Sequence, residues 1–306
     1  IEATNHYQKL KIQVKMKTEK ILCVVVTYNR LAHLKECLAA LSAQSCKNFD
    51  ILIVNNGSTD GTREFLQMLV SKYIVINQDN VGGAGGFYTG MKYMLDNKYD
   101  YLWMMDDDGV PDECQLEQLL KYKDVSWYLN ALVLDKDDNQ KLAFPLQNTK
   151  LSLQQIIQKG EIITNFVHPF NGTFLNVELL KKIGLIKKEM FIWGDEKEYT
   201  LRAIKIANVV PTTIAAAIHY HPKEKGDKEN AFPFGWFPND KIIVKPESLS
   251  CFYYRNLGYI DATYFSRLKS AKWIFCHIIY FLRKNKITEL EKYLVNYFAG
   301  RNNNYK

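Results

Sequence analysis

Short apolar segments alternate with helix-forming segments in the N-terminal part of the chain, and this alternation limits the possible folds more than any other feature. The first segment, Ile21–Thr27, is a continuous β-branched run of the kind buried on both faces of a parallel sheet. Leucines from Leu31 to Leu41 follow it at helical spacing. Further apolar segments span residues 50–54, 73–77 and 101–105. This order predicts an α/β fold with a mostly parallel central sheet flanked by helices.

A polar cluster follows each predicted strand. The four clusters are Thr27-Tyr28-Asn29-Arg30, the turn-rich segment 55–61, the glycine-rich segment 80–86 and Asp106-Asp107-Asp108. Parallel strands end at one edge of a sheet, and open α/β sheets bind ligands beyond the carboxyl ends of their strands. We therefore expect the clusters to line a single ligand-binding cleft.

The three consecutive aspartates predict a metal site. Carboxylates this close repel one another, and a hard cation such as Mg²⁺ or Mn²⁺ is the partner that carboxylate oxygens favour. Such an ion would in turn hold the diphosphate of a substrate. The alternative is a solvated acidic turn, which a DDD sequence taken alone fits equally well.

The glycine-rich segment differs from the common nucleotide-binding loops. It follows the third strand rather than the first, and it lacks both the GxGxxG spacing and the lysine of a P-loop. Its glycines would let the backbone approach a nucleotide or sugar closely, or would form a simple turn.

Two further polar motifs lie in the second half of the chain. Trp193-Gly194-Asp195-Glu196 precedes a predicted helix over residues 197–207. A carboxylate there fits either a helix start or a general base aimed at an acceptor hydroxyl. His219 and His221 follow the apolar run 214–218, and alternate residues of a strand point to the same side. One of these imidazoles could complete a metal site.

The motifs are more specific together than singly. In order they read TYNR, NNGSTDGT, NVGGAGGFYTG, DDDG, FNGTF, WGDE, HYH and YYRN. The set, which spans roughly residues 20–256 and thus most of the chain, resembles the inverting family 2 glycosyltransferases of the GT-A fold. NVGGAGGF, DDDG, WGDE and YYRN are similar to the galactofuranosyltransferase and rhamnosyltransferase branch. The resemblance implies a Rossmann-like GT-A catalytic domain over residues 16–250, followed by a helical region over residues 251–306.

The resemblance implies a donor site formed by the first three clusters and one aspartate. Asn56 stands where many relatives carry an aspartate that contacts uracil, so it is an expected contact to the nucleotide base. The other expected nucleotide-sugar contacts are Thr27, Tyr28, Asn29, Arg30, Asp79, Asn80, Gly82, Gly83, Gly85 and Asp107.

The resemblance also implies the reacting groups. Asp106 and Asp108 would hold Mn²⁺ or Mg²⁺ together with the diphosphate, and His219 is the expected third ligand. Glu196 is the favoured general base, with Asp195 as the alternative, because relatives often have Glu-Asp where this chain has Asp-Glu. The metal would neutralise the departing nucleoside diphosphate. The base would deprotonate the acceptor hydroxyl for a single inverting displacement without a protein nucleophile.

Acceptor and donor identity follow from the resemblance alone. Gly172 and Thr173 would border the acceptor, and Trp193 would stack on a sugar face. The first choice is transfer of galactofuranose from UDP-galactofuranose to a lipid-linked surface polysaccharide such as a capsule or O-antigen. A dTDP-rhamnose or UDP-hexopyranose donor is the alternative.

Two other classes of protein fit less well. A non-catalytic carbohydrate-binding protein would not need the complete set of carboxylates. A sugar-1-phosphate nucleotidyltransferase would need a glycine-rich loop with lysine or arginine directly after the first strand, where TYNR stands.

The C-terminal region carries the net charge. Residues 251–306 hold ten Lys or Arg and three Asp or Glu, a difference of +7 that equals the charge of the whole chain. Aromatic residues such as Trp273, Tyr280 and Phe281 alternate with these cations. Basic amphipathic helices of this kind favour an anionic membrane surface, while a helical cap on the core or a dimer contact are alternatives. The neutral body offers no basic groove, so no nucleic-acid partner is expected.

Targeting signals are not evident. The longest apolar run, residues 273–282, is too short to span a bilayer, no secretory leader is visible, and six cysteines without a CxxC pair indicate a reducing compartment. We expect a cytoplasmic protein, peripheral on the inner face of the membrane. Residues 1–15 are expected to be an unrelated remnant ahead of Met16, and the proline-rich segment 222–246 a mobile loop.

Overall fold

A computed structural model describes residues 19–144, 152–164, 169–223, 228–232 and 241–305. The remnant expected at residues 1–15, together with Met16, lies outside this range, as do parts of the expected 222–246 loop. The described part of that loop contains two short paired strands, given below.

Strands and helices alternate through the described residues. The strands are β1 Ile21–Thr27, β2 Asp50–Asn55, β3 Ile74–Asn77, β4 Tyr101–Asp106, β5 Val110–Pro111, β6 Tyr128–Asp135, β7 Ile162–Thr164, β8 Thr173–Asn176, β9 Thr212–His221, β10 Lys228–Asn230 and β11 Lys241–Ile243. The α-helices are α1 Leu31–Ala43, α2 Thr62–Gln67, α3 Gly82–Asp96, α4 Gln115–Lys121, α5 Leu153–Ile157, α6 Val177–Ile183, α7 Asp195–Arg202, α8 Ser250–Tyr264, α9 Arg267–Arg283 and α10 Ile287–Arg301. A 3₁₀ turn at Lys188–Met190 precedes α7, and a π-helical turn at Ala203–Ala207 extends it.

A mixed central sheet organises the molecule. Within the described ranges it has nine strands in the order β3-β2-β1-β4-β8-β6-β9-β5, with β7 also paired to β9. The first four are parallel, as predicted. Strand β8 is antiparallel to both β4 and β6, so the second half of the sheet is mixed. Strands β10 and β11 form a separate antiparallel pair.

Strand β1 is apolar throughout because both of its faces are covered. Leu22, Val24 and Val26 pack into the core beneath α3, whereas Cys23 and Val25 pack into the core beneath α1. Each buried aliphatic side chain of this size contributes on the order of 1.5–3 kcal/mol. The strand that begins the cleft is therefore held from both sides.

Helix α3 begins at Gly82, inside the glycine-rich segment. A Cβ on Gly86 would lie 2.5 Å from Cγ1 of Val26, and a Cβ on Gly90 would lie 2.5 Å from Cγ1 of Val24. Glycine at these positions lets the helix rest directly on β1, so packing accounts for part of a sequence that suggested a ligand-binding loop.

Helices α8 and α10 cross in backbone contact. A Cβ on Gly258 would lie 1.9 Å from the carbonyl oxygen of Tyr297, and one on Gly300 would lie 1.8 Å from that of Arg255. Aromatic residues of α8, α9 and α10 pack into a C-terminal apolar cluster that includes Tyr254, Tyr280, Phe281, Tyr293 and Tyr297. None of the described helices combines the length and apolarity needed to cross a membrane.

Candidate active site

The first and fourth polar clusters are joined where β1 and β4 end side by side. Val26 pairs with Asp106 in the sheet, so the turn after β1 faces the three aspartates. The Thr27 hydroxyl donates to Oδ2 of Asp107 at 2.7 Å, and the backbone N–H of Tyr28 donates to the same oxygen at 3.3 Å. Asp107 is buried. It therefore ties the two clusters together, a structural role that the sequence did not suggest.

Two aspartates and one histidine form a group suited to a metal ion. One ligand atom each from Asp106, Asp108 and His221 lie within 4.8 Å of one another. His221 Nε2 lies 3.0 Å from Oδ1 of Asp108. Its Nδ1 lies 2.6 Å from the carbonyl oxygen of Pro222 and donates to it in the tautomer that this contact favours. That hydrogen bond directs Nε2 towards the carboxylates, as is usual for metal-binding histidines.

His221 takes the position that the sequence assigned to His219. Both residues lie on β9 and share a side, as expected, but His219 is fully buried beneath β5. Its Nδ1 lies 3.1 Å from Oε1 of Gln115, and a Cβ on Gly109 would lie 2.3 Å from its Nε2. The structure thus places His221, rather than the expected His219, beside Asp106 and Asp108, because β5 covers the deeper of the two imidazoles.

The three aspartates differ in their surroundings. Burial and the neighbouring carboxylates of Asp108 and Asp107 raise the pKa of Asp106 to about 8. Burial also raises the pKa of Asp107 to about 6, against the Thr27 hydrogen bond and the charge of Arg30. Burial opposes the charge of Asp108 as well, but His221 and Arg30 lower the pKa of its carboxyl to about 2. The Arg30 guanidinium contacts Asp108 directly. A single arginine and a histidine thus offset only part of the negative charge.

A second carboxylate pair begins α7. Asp195 is buried, and burial together with the neighbouring Glu196 raises its pKa well above the usual value. Glu196 is only partly buried, and its Oε2 accepts from the backbone N–H of Gly194 at 3.3 Å. The charge of Glu196 contributes to the raised pKa of Asp106. The two carboxylate groups therefore lie in electrostatic contact.

Asn56 is not presented to a ligand. Its amide nitrogen donates to the carbonyl of Gly82 at 2.9 Å and to Oδ1 of Asn80 at 3.2 Å. Its oxygen accepts from Gln78 at 2.9 Å and from the backbone of Val81 at 3.3 Å. Since an amide has two donors and two acceptor positions, its capacity is used. Asn56, which was expected to contact the nucleotide base, instead holds the glycine-rich segment against β2.

The NNGSTDGT loop likewise braces the turn after β1. Asp60 Oδ2 accepts from the backbone N–H of Leu31 at 3.0 Å and caps the start of α1. Asn29, at φ 54°, donates from its backbone to the Ser58 hydroxyl at 3.0 Å and accepts from the Thr59 backbone at 2.6 Å. These contacts fix the turn that carries Tyr28 and Arg30 at the cleft.

Some of the remaining residues that were predicted to contact the nucleotide-sugar are exposed, whereas others pack against the protein itself. Tyr28, Asp79 and Asn80 are exposed at the strand ends. Among the glycines, Gly83 faces open space, and a Cβ on Gly85 would lie 2.4 Å from Val81. Gly82 abuts the segment before α7, where a Cβ would lie 2.0 Å from the Phe191 carbonyl oxygen.

The residues that were predicted to border the acceptor substrate also differ in their burial. Thr173 is fully buried on β8, and its hydroxyl donates to Oδ1 of Asn130 at 3.2 Å. Gly172 is packed against Gln115 and Ala131. Both lie behind the aspartates rather than at an open surface, because β8 is inserted beside β4. Trp193 is half-buried next to Asp195, with Lys245 Nζ 4.6 Å from the centre of its ring.

Sequence comparison gives one family model and related enzymes. The model "Glycosyl transferase family 2" matches residues 22–184. A galactofuranosyltransferase GlfT1 from Mycolicibacterium smegmatis is 30% identical over 261 residues, which cover 79% of this chain and 83% of the relative. The GlfT1 of Mycobacterium tuberculosis (strain CDC 1551 / Oshkosh) is 31% identical over 67% of this chain and 71% of its own length.

Structural comparison gives similar folds at low identity. S. aureus TarS 1-349 in complex with UDP is 15% identical, with a TM-score of 0.54 over 93% of this chain and 92% of that one. The mannosyltransferase PcManGT of Pyrobaculum calidifontis, solved with GDP-Man and Mn²⁺, is 13% identical, with a TM-score of 0.53 over 90% of this chain and 73% of that one. These likenesses concern the fold, and they confirm the GT-A fold class expected from the sequence.

Removing the charge of Asp106 is expected to stabilise the protein. Its folded pKa lies above the unfolded value of about 3.9, so its ionisation costs stability as the pH rises through the window between these values. In EDTA at pH 8, Asp106→Asn should raise the free energy of unfolding by about 1–3 kcal/mol, with little gain near pH 4. Thermal melts at both values measure this.

Asp108→Asn is the matched comparison. The folded pKa of Asp108 is lowered, so its charge contributes stability that is present above about pH 4 and lost only in stronger acid. The variant removes the carboxylate charge that Arg30 and His221 contact and should melt at a lower temperature at pH 8. A shift of both variants in the same direction would contradict this account of the cluster.

Proposed function

Since this chain belongs to glycosyltransferase family 2, we propose that this glycosyltransferase moves galactofuranose from UDP-galactofuranose to a hydroxyl of a lipid-linked surface glycan, with inversion at the anomeric carbon. One observation carries the chemistry: one ligand atom each from Asp106, Asp108 and His221 lie within 4.8 Å of one another, where β4 and β9 end. The length of the match to the GlfT1 relatives supports the choice of sugar.

We place a divalent cation between Asp106, Asp108 and His221. Two carboxylates and an imidazole suit Mn²⁺, which accepts both oxygen and nitrogen ligands, better than Mg²⁺. The incompletely offset charge of the aspartates also fits a cation. When bound, the ion would stabilise the negative charge that develops on the leaving diphosphate.

The nucleotide lies, in this proposal, at the turn after β1. Asp107 and the NNGSTDGT loop fix that turn, and Tyr28 stands exposed beside it with a ring on which a base can stack. Asp79 and Asn80 at the end of β3 supply polar groups for the ribose. TarS, which has a similar fold, was solved with UDP, and this supports uracil as the base of the donor. PcManGT was solved with GDP-Man, so the same fold also accepts another base.

Glu196 is the proposed general base. Burial and the neighbouring Glu196 raise the pKa of Asp195 well above its usual value, so the charged form of this carboxyl is disfavoured. Glu196 is also the more exposed of the two, so it can reach an acceptor hydroxyl. It takes the proton as the hydroxyl oxygen attacks the anomeric carbon and the bond to the diphosphate breaks.

Metal-dependent nucleotide binding tests the donor site. We expect calorimetry to show UDP binding in Mn²⁺ and its loss in EDTA. Asp106→Ala, Asp108→Ala and His221→Ala should each weaken binding at least about tenfold, since each removes a proposed metal ligand. Stronger binding of dTDP than of UDP would instead indicate a rhamnosyltransferase, and binding of neither would contradict the proposed site.

Donor turnover separates the remaining candidates. UDP-galactofuranose should be used in preference to UDP-galactopyranose and UDP-glucose, whereas a carbohydrate-binding protein without activity would bind nucleotide or glycan and release no UDP from any of them.

Substitution of the two α7 carboxylates tests the base. Glu196→Gln should lower kcat by about 10²- to 10⁴-fold, because proton removal from the acceptor is lost. Its affinity for UDP in Mn²⁺ should stay unchanged, which controls for folding. Asp195→Asn retains a hydrogen-bond donor and should reduce kcat less. The reverse order of effects would assign the base to Asp195.

We also propose that the enzyme is cytoplasmic and lies on the inner face of the membrane through α9. Leu268, Phe275 and Leu282 recur every seven residues and are exposed, Leu268 to 85%. They are flanked by Arg267, Lys269 and Lys272 near one end of the helix and by Arg283 and Lys284 at the other. An apolar face with a basic rim fits an anionic lipid surface. Tyr280 and Phe281 were expected to lie with these cations at the membrane surface, but they pack into the C-terminal apolar cluster.

Vesicle sedimentation tests this surface. The triple variant Leu268→Ser, Phe275→Ser, Leu282→Ser should lose binding to anionic vesicles, because the apolar contact is removed while the charges stay. Met68→Ser with Val70→Ser, two exposed apolar residues near α2, is the control and should bind like the wild type. Equal binding by the triple variant would contradict the proposal, and a change in oligomeric state would point to a dimer contact.

A further inference from the structure

The YYRN motif of α8 contacts the segment that leads into the catalytic carboxylates. Asn256 is fully buried on α8. Its amide nitrogen lies 2.8 Å from the carbonyl oxygen of Met190, 3.1 Å from that of Ile192 and 2.9 Å from that of Trp193. The two N–H groups of one side chain thus serve three carbonyl groups within four consecutive residues, with one hydrogen shared between two of them.

Neighbouring residues of α8 contact the same segment. The Arg255 guanidinium donates to the carbonyl of Glu189 at 2.8 Å. Phe252 stacks on Phe191 with ring centres 4.4 Å apart and an angle of 18° between the planes. Phe252, Arg255 and Asn256 are spaced by three and four residues, so they form one face of the helix. This face holds residues 189–193.

The segment needs such support because its backbone is strained. Phe191 has φ 64° with ψ −63°, and Trp193 has φ 60°. Aromatic residues rarely adopt positive φ, and such a conformation persists only where the surrounding contacts hold it. Gly194, at φ 99°, then starts α7. The direction of α7, and therefore of Glu196 in its first turn, depends on this sequence of unusual dihedral angles.

The same segment also touches the donor side of the cleft. The Phe191 carbonyl accepts from the backbone N–H of Ala84 at 3.1 Å, and its oxygen occupies the space that a Cβ on Gly82 would need. Residues 189–193 therefore lie between α8 and the first turn of α3. Their position sets the separation between the glycine-rich segment and the carboxylates of α7.

We propose that Asn256 is a positioning residue for sugar transfer, whose amide holds residues 190–193 in the one conformation that directs Glu196 towards the acceptor hydroxyl. The inference rests on the proposed function. Asn256 itself touches neither substrate nor metal in this account, and it acts through the backbone that it binds.

Asn256→Ala and Asn256→Asp test the role. Aspartate keeps the shape of the side chain but cannot donate, and its charge repels the three carbonyl groups. In the full chain with Mn²⁺, we expect kcat for UDP release from UDP-galactofuranose to fall about 10- to 100-fold in both variants, as a displaced catalytic group predicts. Binding of UDP should change less than about twofold, because its proposed contacts lie at the ends of β1, β3, β4 and β9, none of which the Asn256 amide touches.

Tyr254→Phe is the matched control. It removes a buried hydrogen bond of the same helix, the one that the Tyr254 hydroxyl donates to Glu289 at 2.9 Å, on the side away from residues 189–193. We expect a lower melting temperature with kcat unchanged. If Asn256→Ala and Asn256→Asp fold and keep the wild-type kcat, or if Tyr254→Phe loses as much activity as they do, the positioning role is wrong.

Hydrogen exchange separates this inference from the proposed function. Amides of residues 191–196 should exchange faster in Asn256→Ala than in the wild type, and at the wild-type rate in Tyr254→Phe. A wild-type enzyme that releases no UDP would contradict the proposed function, whereas unchanged exchange in Asn256→Ala would overturn the role of Asn256 whatever the activity.

Discussion

Repulsion among three adjacent carboxylates at the end of β4 is the constraint on which the rest of the structure depends. Burial makes the repulsion stronger, because few water molecules remain to screen it. Arg30 arrives from the turn after β1 and His221 from the end of β9, so partners come from both halves of the sheet. Strand β8 lies between β4 and β6, and β9 pairs with β5, which follows the aspartates in the chain. The end of β9 therefore lies at the same edge of the sheet as the end of β4. The imidazole of His221 beside the aspartates thus comes from a strand in the mixed half of the sheet.

Many polar side chains that look like ligand contacts are used to hold backbone. Asn56 fixes the glycine-rich segment, Asp60 caps α1, Asp107 joins β1 to β4, and Asn256 holds the segment before α7. Loops at the strand ends have no sheet ladder to satisfy their peptide groups, so side chains take over that task. The groups left open at the cleft are consequently few, and each sits on a braced support.

The parallel half of the fold could be predicted from the sequence because its signals are local. The apolar run of β1 and the leucine spacing of α1 lie where expected. Asp106 and Asp108 belong to a group that could hold a metal ion, which is the chemistry that their residue type predicts. The choice between His219 and His221 could not be predicted, since alternation gives the side of a strand and not its depth beneath β5. Likewise, the burial of Thr173 depends on the antiparallel pairing of β8, which joins residues far apart in the chain.

The glycine crossing of α8 and α10 divides the C-terminal helices into two kinds. Because Gly258 and Gly300 each admit a carbonyl oxygen of the other helix, neither helix can slide or rotate without a backbone clash. Helix α9 joins them without such a lock, and Leu268, Phe275 and Leu282 on it are exposed. Helices α8 and α10 therefore form one rigid support for residues 189–193, and a change on the exposed side of α9 can leave that support intact.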